Sequence, residues 1–233
     1  MRQVFIMIKA TFPDKSSIIM VGSPGIGLLE FNVGIAKSYV ENGDTVIFVA
    51  VDLTPSDVLS SMGSFGINVD EILGRSLFII DYHSSILGSF ESKDTKQGGE
   101  VRQVSDIEGI MFNVSSIANE TAKPVHIFLH SLSTLFLYNQ SNVVLKFFQI
   151  SASRIRTEFG TGFFTIHDGV HDEKTMNHLM AIADGVIELK FDDNLNRRMR
   201  IRHMRGYPTT SQWIPFEIKQ IFKGERASLL EWK

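Results

Sequence analysis

The residues with the clearest chemical potential form one glycine-rich turn, Gly22-Ser23-Pro24-Gly25-Ile26-Gly27-Leu28-Leu29, which follows an apolar run and opens a helical pattern. In that context glycines let backbone N–H groups curl around a phosphate, and the start of the helix adds partial positive charge. A working loop of this kind needs a lysine for the β- and γ-phosphates and a hydroxyl for Mg²⁺ at its last two positions. Leu28 and Leu29 stand there instead. The exchange removes a charge-assisted hydrogen bond worth roughly 1.5–3 kcal/mol. It also puts two side chains, each favouring burial by about 1.5–3 kcal/mol, where a hydrated polyanion would sit. The N–H groups of Gly25 and Gly27 survive, so weak binding of ATP, ADP, phosphate or sulfate stays open, and no tightly held cofactor is expected. From the loop alone, a tight turn in an unrelated α/β protein explains the pattern equally well.

Other polar residues stand where strands end. Asp52 follows the apolar run 45–51, and His130 closes the run 125–130. A histidine in that place can act as a base or bind a metal, but beside Phe128 and Leu129 it reads first as a hydrogen-bonded packing residue. His167, His171 and His178 invite a zinc reading, yet their spacing matches no recognised ligand set, and no metal is expected. Arg198, Arg200 and Arg202 alternate, so on a strand they share one side and read as a solvated face.

Around these residues, short runs rich in Val, Ile and Phe alternate with longer amphipathic segments, the pattern of a mostly parallel sheet flanked by crossover helices. Strands are expected at 4–9, 17–22, 45–51, 77–81, 125–130, 162–167 and 184–189, and helices at 28–41, 54–65, 104–120, 142–159 and 173–182. The segments 198–204 and 213–218 have no helix between them and read as a C-terminal antiparallel hairpin. The polar stretch 83–103 reads as a surface loop, and the tail 224–233 carries an apolar cluster of Leu229, Leu230 and Trp232.

With 233 residues, 43% hydrophobic and 21% charged, the chain reads as one soluble α/β domain over 1–233. The absence of cysteine excludes disulfides and thiol chemistry. The apolar run at 4–8 is too short for a signal peptide or a membrane span, which makes cytoplasmic residence the expectation, without membrane attachment. A net charge of −3 argues against broad attraction to nucleic acid.

In register, these motifs resemble the KaiC-like branch of the RecA superfamily of P-loop ATPases, close to archaeal RadA paralogues. The family loop reads Gly-x-Pro-Gly-x-Gly-Lys-Thr-Thr-Phe, and Gly22, Pro24, Gly25, Gly27 and Phe31 match it. The family's catalytic glutamate turn corresponds to Val51-Asp52-Leu53-Thr54-Pro55, which puts Asp52 at the glutamate position. Its Asp-Ser-Leu-Ser strand end, the Walker B motif, corresponds to His130-Ser131-Leu132-Ser133, which puts His130 at the aspartate. Ala183-Asp184-Gly185-Val186-Ile187-Glu188-Leu189 and His203-Met204-Arg205-Gly206 resemble the family's Ala-Asp-Gly-Val-Ile-x-Leu strand and Lys-Met-Arg-Gly motif. In active relatives that lysine and arginine reach the γ-phosphate of the neighbouring subunit; here His203 replaces the lysine and Arg205 is kept. The family's segment ahead of the first core strand is missing from residues 1–17.

The resemblance implies a RecA-like P-loop fold whose hydrolytic parts are degenerate, with no catalytic residues. Loss of a positioned base costs ~10²–10⁴-fold in rate, and loss of a cation in trans can cost ~10³–10⁵-fold. The expectation is a pseudo-ATPase that binds a protein or peptide partner in a regulatory or signalling role, and homo-oligomers are plausible because relatives form rings. A RadA-like accessory to DNA repair, binding ATP weakly or single-stranded DNA, is the alternative; the acidic balance makes nucleic acid the less favoured partner. An NAD(P)-binding oxidoreductase is a further one, but Glu30 occupies the third glycine position of that fingerprint.

Overall fold

The computed structural model describes residues 12–88 and 100–218, and the backbone of 230–231. The strand expected at 4–9 and most of the tail lie outside the described residues.

Seven parallel strands form the centre of the sheet: β1 (Ser17–Gly22), β2 (Thr45–Ala50), β3 (Leu77–Asp81), β4 (Val101–Gln103), β5 (Val125–His130), β6 (Gly162–His167) and β7 (Gly185–Phe191). Two antiparallel strands, β8 (Arg197–Met204) and β9 (Ile214–Pro215), extend it beyond β7. The order across the nine strands is β4-β3-β2-β5-β6-β1-β7-β8-β9. The expected mostly parallel α/β sheet with a C-terminal antiparallel hairpin is therefore present. Its last arm is shorter than the sequence suggests. After β9 the chain leaves the sheet, and β10 (Glu217–Ile218) pairs antiparallel with β11 (Leu230–Glu231) in a separate ribbon.

Strand alternation explains the two cores. Ile18 and Met20, Val46 and Phe48, and Phe128 and Phe163 face one side. Ile19 and Val21, Ile47 and Val49, and Ile127, Leu129 and Phe164 face the other. Central parallel strands need cover on both faces. On the first side it comes from α1 (Leu28–Glu41) and α2 (Pro55–Ser64). On the second it comes from α5 (Ile107–Glu120), α6 (Leu132–Tyr138), α7 (Ser141–Thr157) and α8 (Glu173–Ile182). Phe128 stacks on Phe163 with ring centroids 4.8 Å apart, and Phe48 stacks on Phe128 at 6.3 Å, a cross-strand ladder that ties β2, β5 and β6 in register.

Helix starts follow local chemistry. Thr54 and Asp57 form a capping box ahead of α2, with Pro55 in its first turn, and Asp106, Ser131 and Asp172 accept backbone N–H bonds at the starts of α5, α6 and α8. The loop expected at 83–103 also contains two short elements, α4 (His83–Ile86) and β4; residues 89–99 are not described. A further short helix, α3 (Val69–Ile72), follows α2.

Candidate functional site

The parallel strands place the glycine turn, Asp52, His130 and His167 at one edge of the sheet, beyond the carboxyl ends of β1, β2, β5 and β6. This is where sites form in open α/β sheets. Gly25 and Gly27 have φ of 76° and 97°, conformations that glycine adopts without a Cβ penalty. The turn closes with a bond from Ile26 N–H to Ser23 O (3.1 Å), and Phe31 N–H starts α1 on Gly27 O (2.9 Å). The backbone shape of a phosphate loop is present.

Its hollow is full. A Cβ placed on Gly22 would lie 2.8 Å from Cγ and Cδ2 of Leu28 and from Cγ2 of Ile26, so both side chains lean over the first glycine of the loop. Ile26 is fully buried and Leu28 is 6% exposed. A Cβ on Gly27 would collide with Cδ1 of Ile218, which reaches the loop from β10. Leu29 is partly buried against the same core. Outside the loop, Arg197 donates from Nε to Ile26 O (2.9 Å), and Phe216 packs edge-on against Phe31 with centroids 5.6 Å apart. Ser23 N–H bonds to Leu189 O (3.3 Å), and Pro24 and Gly25 form the exposed tip.

Asp52 and His130 come together behind this loop. Oδ2 of Asp52 accepts from Ser131 Oγ (3.1 Å) and Thr134 Oγ1 (3.2 Å). Oδ1 lies 3.9 Å from His130 Nε2 and is buried without a hydrogen-bond partner among the described residues. The opposite ring nitrogen of His130 is 2.9 Å from Thr165 Oγ1, whose own proton goes to Leu129 O at 3.2 Å. That hydroxyl has one hydrogen to give, so His130 Nδ1–H must donate to it, and in the neutral ring Nε2 carries the lone pair; the tautomer follows from the network. Burial holds the His130 pKa below 6.5, the nearby Asp52 charge opposes this, and His167 adds to the lowering.

Next to it lies a second polar cluster that the spacing of the histidines did not reveal. Ser133 Oγ accepts the His167 backbone N–H (2.9 Å) and shares a second hydrogen bond with His171 Nε2 (2.8 Å). Burial, and then the neighbouring His167, lower the His171 pKa. The pair lines a pocket of about 370 Å³ together with Thr134, Phe136 and Val170. His178 does not join it. Among the described residues no three His, Asp or Glu side chains stand close enough together to hold a metal ion. The only sequence signal for the cluster is the hydroxyl-rich run Ser131-Leu132-Ser133-Thr134 after β5.

His203 and Arg205 lie at the far end of the sheet. β8 runs antiparallel to β7, so Met204 pairs with Gly185, and Gly185 pairs with Ile18 near the start of β1. The length of β1, about 16 Å at ~3.3 Å per residue, separates this end from the loop. There Arg205 pairs with Asp184 (2.8 Å), whose carboxylate also binds Arg156 (3.0 Å) and the N–H and hydroxyl of Ser17 (both 2.9 Å). The alternating arginines of β8 are matched by acids, Arg198 by Asp192 at 2.9 Å and Arg200 and Arg202 by Glu188. Trp213 lies between Lys190 and Arg200, with their charged atoms 4.2 and 4.5 Å from its ring centre.

Comparison with known proteins agrees with this frame. A KaiC-like protein of the archaeon Pyrococcus horikoshii has the same fold, with a TM-score of 0.70 over 89% of this chain and 88% of its own at 19% identity. A UPF0273 protein of Thermotoga maritima is 25% identical, covering 88% of this chain and 85% of the relative. A UPF0273 protein of Aeropyrum pernix is 26% identical, covering 88% and 83%. The family model described as "ATPase: KaiC" matches residues 5–224, and the chain therefore belongs to the KaiC-like ATPase family, on the P-loop fold of the RecA superfamily.

Proposed function

We propose that this chain is a KaiC-like domain that does not hydrolyse ATP and that works as a regulatory module binding a protein or peptide partner. The observation that carries the reading is the filled loop, with Leu28 and Ile26 over Gly22 and Ile218 over Gly27. A triphosphate and Mg²⁺ ask for a lysine, a hydroxyl and room; these residues offer aliphatic surface in each place. They do not fit the nucleotide that the family implies. At the Walker B position the neutral His130 faces Asp52 and offers a metal no carboxylate of its own. Phosphoryl transfer depends on positioning and electrostatics, and neither is supplied by these side chains.

Homo-oligomer formation and cytoplasmic residence belong to the same proposal. Among the described residues no helix is long and apolar enough to cross a membrane. Titration calorimetry with MgATP tests the reading. The expected result is no heat of binding corresponding to a dissociation constant tighter than about 0.1 mM, or about −5.5 kcal/mol, and no phosphate release above background. A low-micromolar constant would overturn it.

A further inference from the structure

Residues 213–218 turn back from the sheet edge toward the phosphate loop. Ile214 pairs with Met199 and Pro215 with Arg198, and the Phe216 N–H donates to Arg197 O at 3.1 Å. In extended chain, residues two apart share a side. Phe216, 2% exposed, meets Phe31 in the first turn of α1, and Ile218 covers Gly27. Trp213, an odd number of residues from both, packs outside between Lys190 and Arg200. The backbone at 217–218 is held in turn by antiparallel pairing to 230–231. An extended strand thus sets one apolar side chain, Ile218, on the loop and a second, Phe216, on the first turn of the helix that follows it, beside a backbone shaped for phosphate.

We infer that the former phosphate site is a receptor for an extended apolar segment with large side chains two residues apart, and that its resident occupant is the chain's own Phe216-Glu217-Ile218. This inference rests on the regulatory reading above and gives that reading a location. Glycine at 27 suits the receptor, because any Cβ there would take the space that Ile218 fills. Leu28 and Leu29 suit it as well, supplying apolar walls in place of a cation and a hydroxyl. A partner strand of the same chemistry reaches the site by displacing the resident one, so regulation lies in the competition between them.

The test uses the full chain and a fluorescein-labelled peptide with the sequence of residues 211–218, read by fluorescence anisotropy. In wild type the resident strand holds the site, and weak or no saturable binding is expected. The double variant Phe216→Ala, Ile218→Ala, checked for folding by circular dichroism and urea titration, is expected to bind the peptide at least tenfold tighter than wild type. A second peptide, with the residue equivalent to Ile218 replaced by Asp, is expected to lose that gain whatever the state of the protein. A folded double variant that binds neither peptide, or both equally, overturns the inference. MgATP calorimetry on wild type separates the two ideas: micromolar binding there removes the regulatory reading itself, whereas silence toward MgATP together with silence toward the peptide removes only the receptor.

Discussion

Nε2 of His130 stands 3.9 Å from Oδ1 of Asp52, and that oxygen finds no hydrogen-bond partner among the described residues. The resemblance of the sequence to KaiC-like proteins implies that His130 and Asp52 stand where that family carries an aspartate and a catalytic glutamate. Two carboxylates so close would repel unless a cation lay between them. With a neutral imidazole in one place that repulsion is absent, and Ser131, Thr134 and Thr165 hydrogen-bond the pair.

That arrangement predicts acid sensitivity. The folded-state pKa of His130 is held below 6.5 by burial, while in the unfolded chain it returns to about 6.5. Between those two values the unfolded state binds more protons, so the stabilisation is complete above about pH 6.5 and is lost as pH falls through the window below it. His171 acts in the same direction. Urea midpoints measured from pH 7.5 to 5 should fall for wild type and fall less steeply for His130→Gln. Parallel curves for the two proteins would contradict the assignment.

Placing the family's Lys-Thr pair in the loop should not produce ATP hydrolysis. The double substitution Leu28→Lys, Leu29→Thr removes a side chain that is almost wholly buried over Gly22, and should lower stability by roughly 2–3 kcal/mol. Ile218 still covers Gly27, and a histidine, not a carboxylate, still closes β5 at His130. A coupled phosphate-release assay should remain at background, and a turnover typical of ATPases would show that the missing cation alone was limiting.

At the other end of the sheet the ion pairs differ sharply in worth. Asp184, 1% exposed, gathers Ser17 N–H, Ser17 Oγ, Arg156 and Arg205. Asp184→Ala strands buried donors and should cost about 3 kcal/mol. The Arg205 side chain is 59% exposed, so Arg205→Ala should change stability by less than ~1 kcal/mol and lose even that in high salt. Urea unfolding of the two variants at low and high salt checks both statements.

The strands and long helices are legible in the sequence because each buried strand is a compact run of Val, Ile and Phe, and each long helix repeats its apolar face. Asp52 and His130 meet because parallel strands deliver their carboxyl ends to one edge. What the sequence hides is long-range. Nothing local marks Ile218 as the partner of Gly27, 191 positions earlier, or Ser133 as the partner of His171. Helix α6 escapes notice because seven residues are too few to establish a period, and β4 because three residues are too few to alternate. The hairpin read at 213–218 is divided because Phe216 packs on Phe31 of α1 and Ile218 on Gly27 of the loop, while Ile214 and Pro215 pair with the sheet.

Gly27 and Ile218 give the sharpest quantitative test of the filled loop. Gly27→Ala introduces two costs. One is conformational, because φ of 97° is unfavourable for any residue with a Cβ, about 1–2 kcal/mol. The other is steric, because the new methyl meets Ile218 Cδ1. Ile218→Ala alone loses apolar burial, roughly 1–2 kcal/mol for a half-buried side chain. In the double variant the collision is gone while the conformational cost remains, so the combined loss should be smaller than the sum of the single losses by about 1 kcal/mol or more. Such coupling is expected only for residues in contact. A double-mutant cycle by urea denaturation measures it directly, and strict additivity would mean that Ile218 does not occupy the loop in solution.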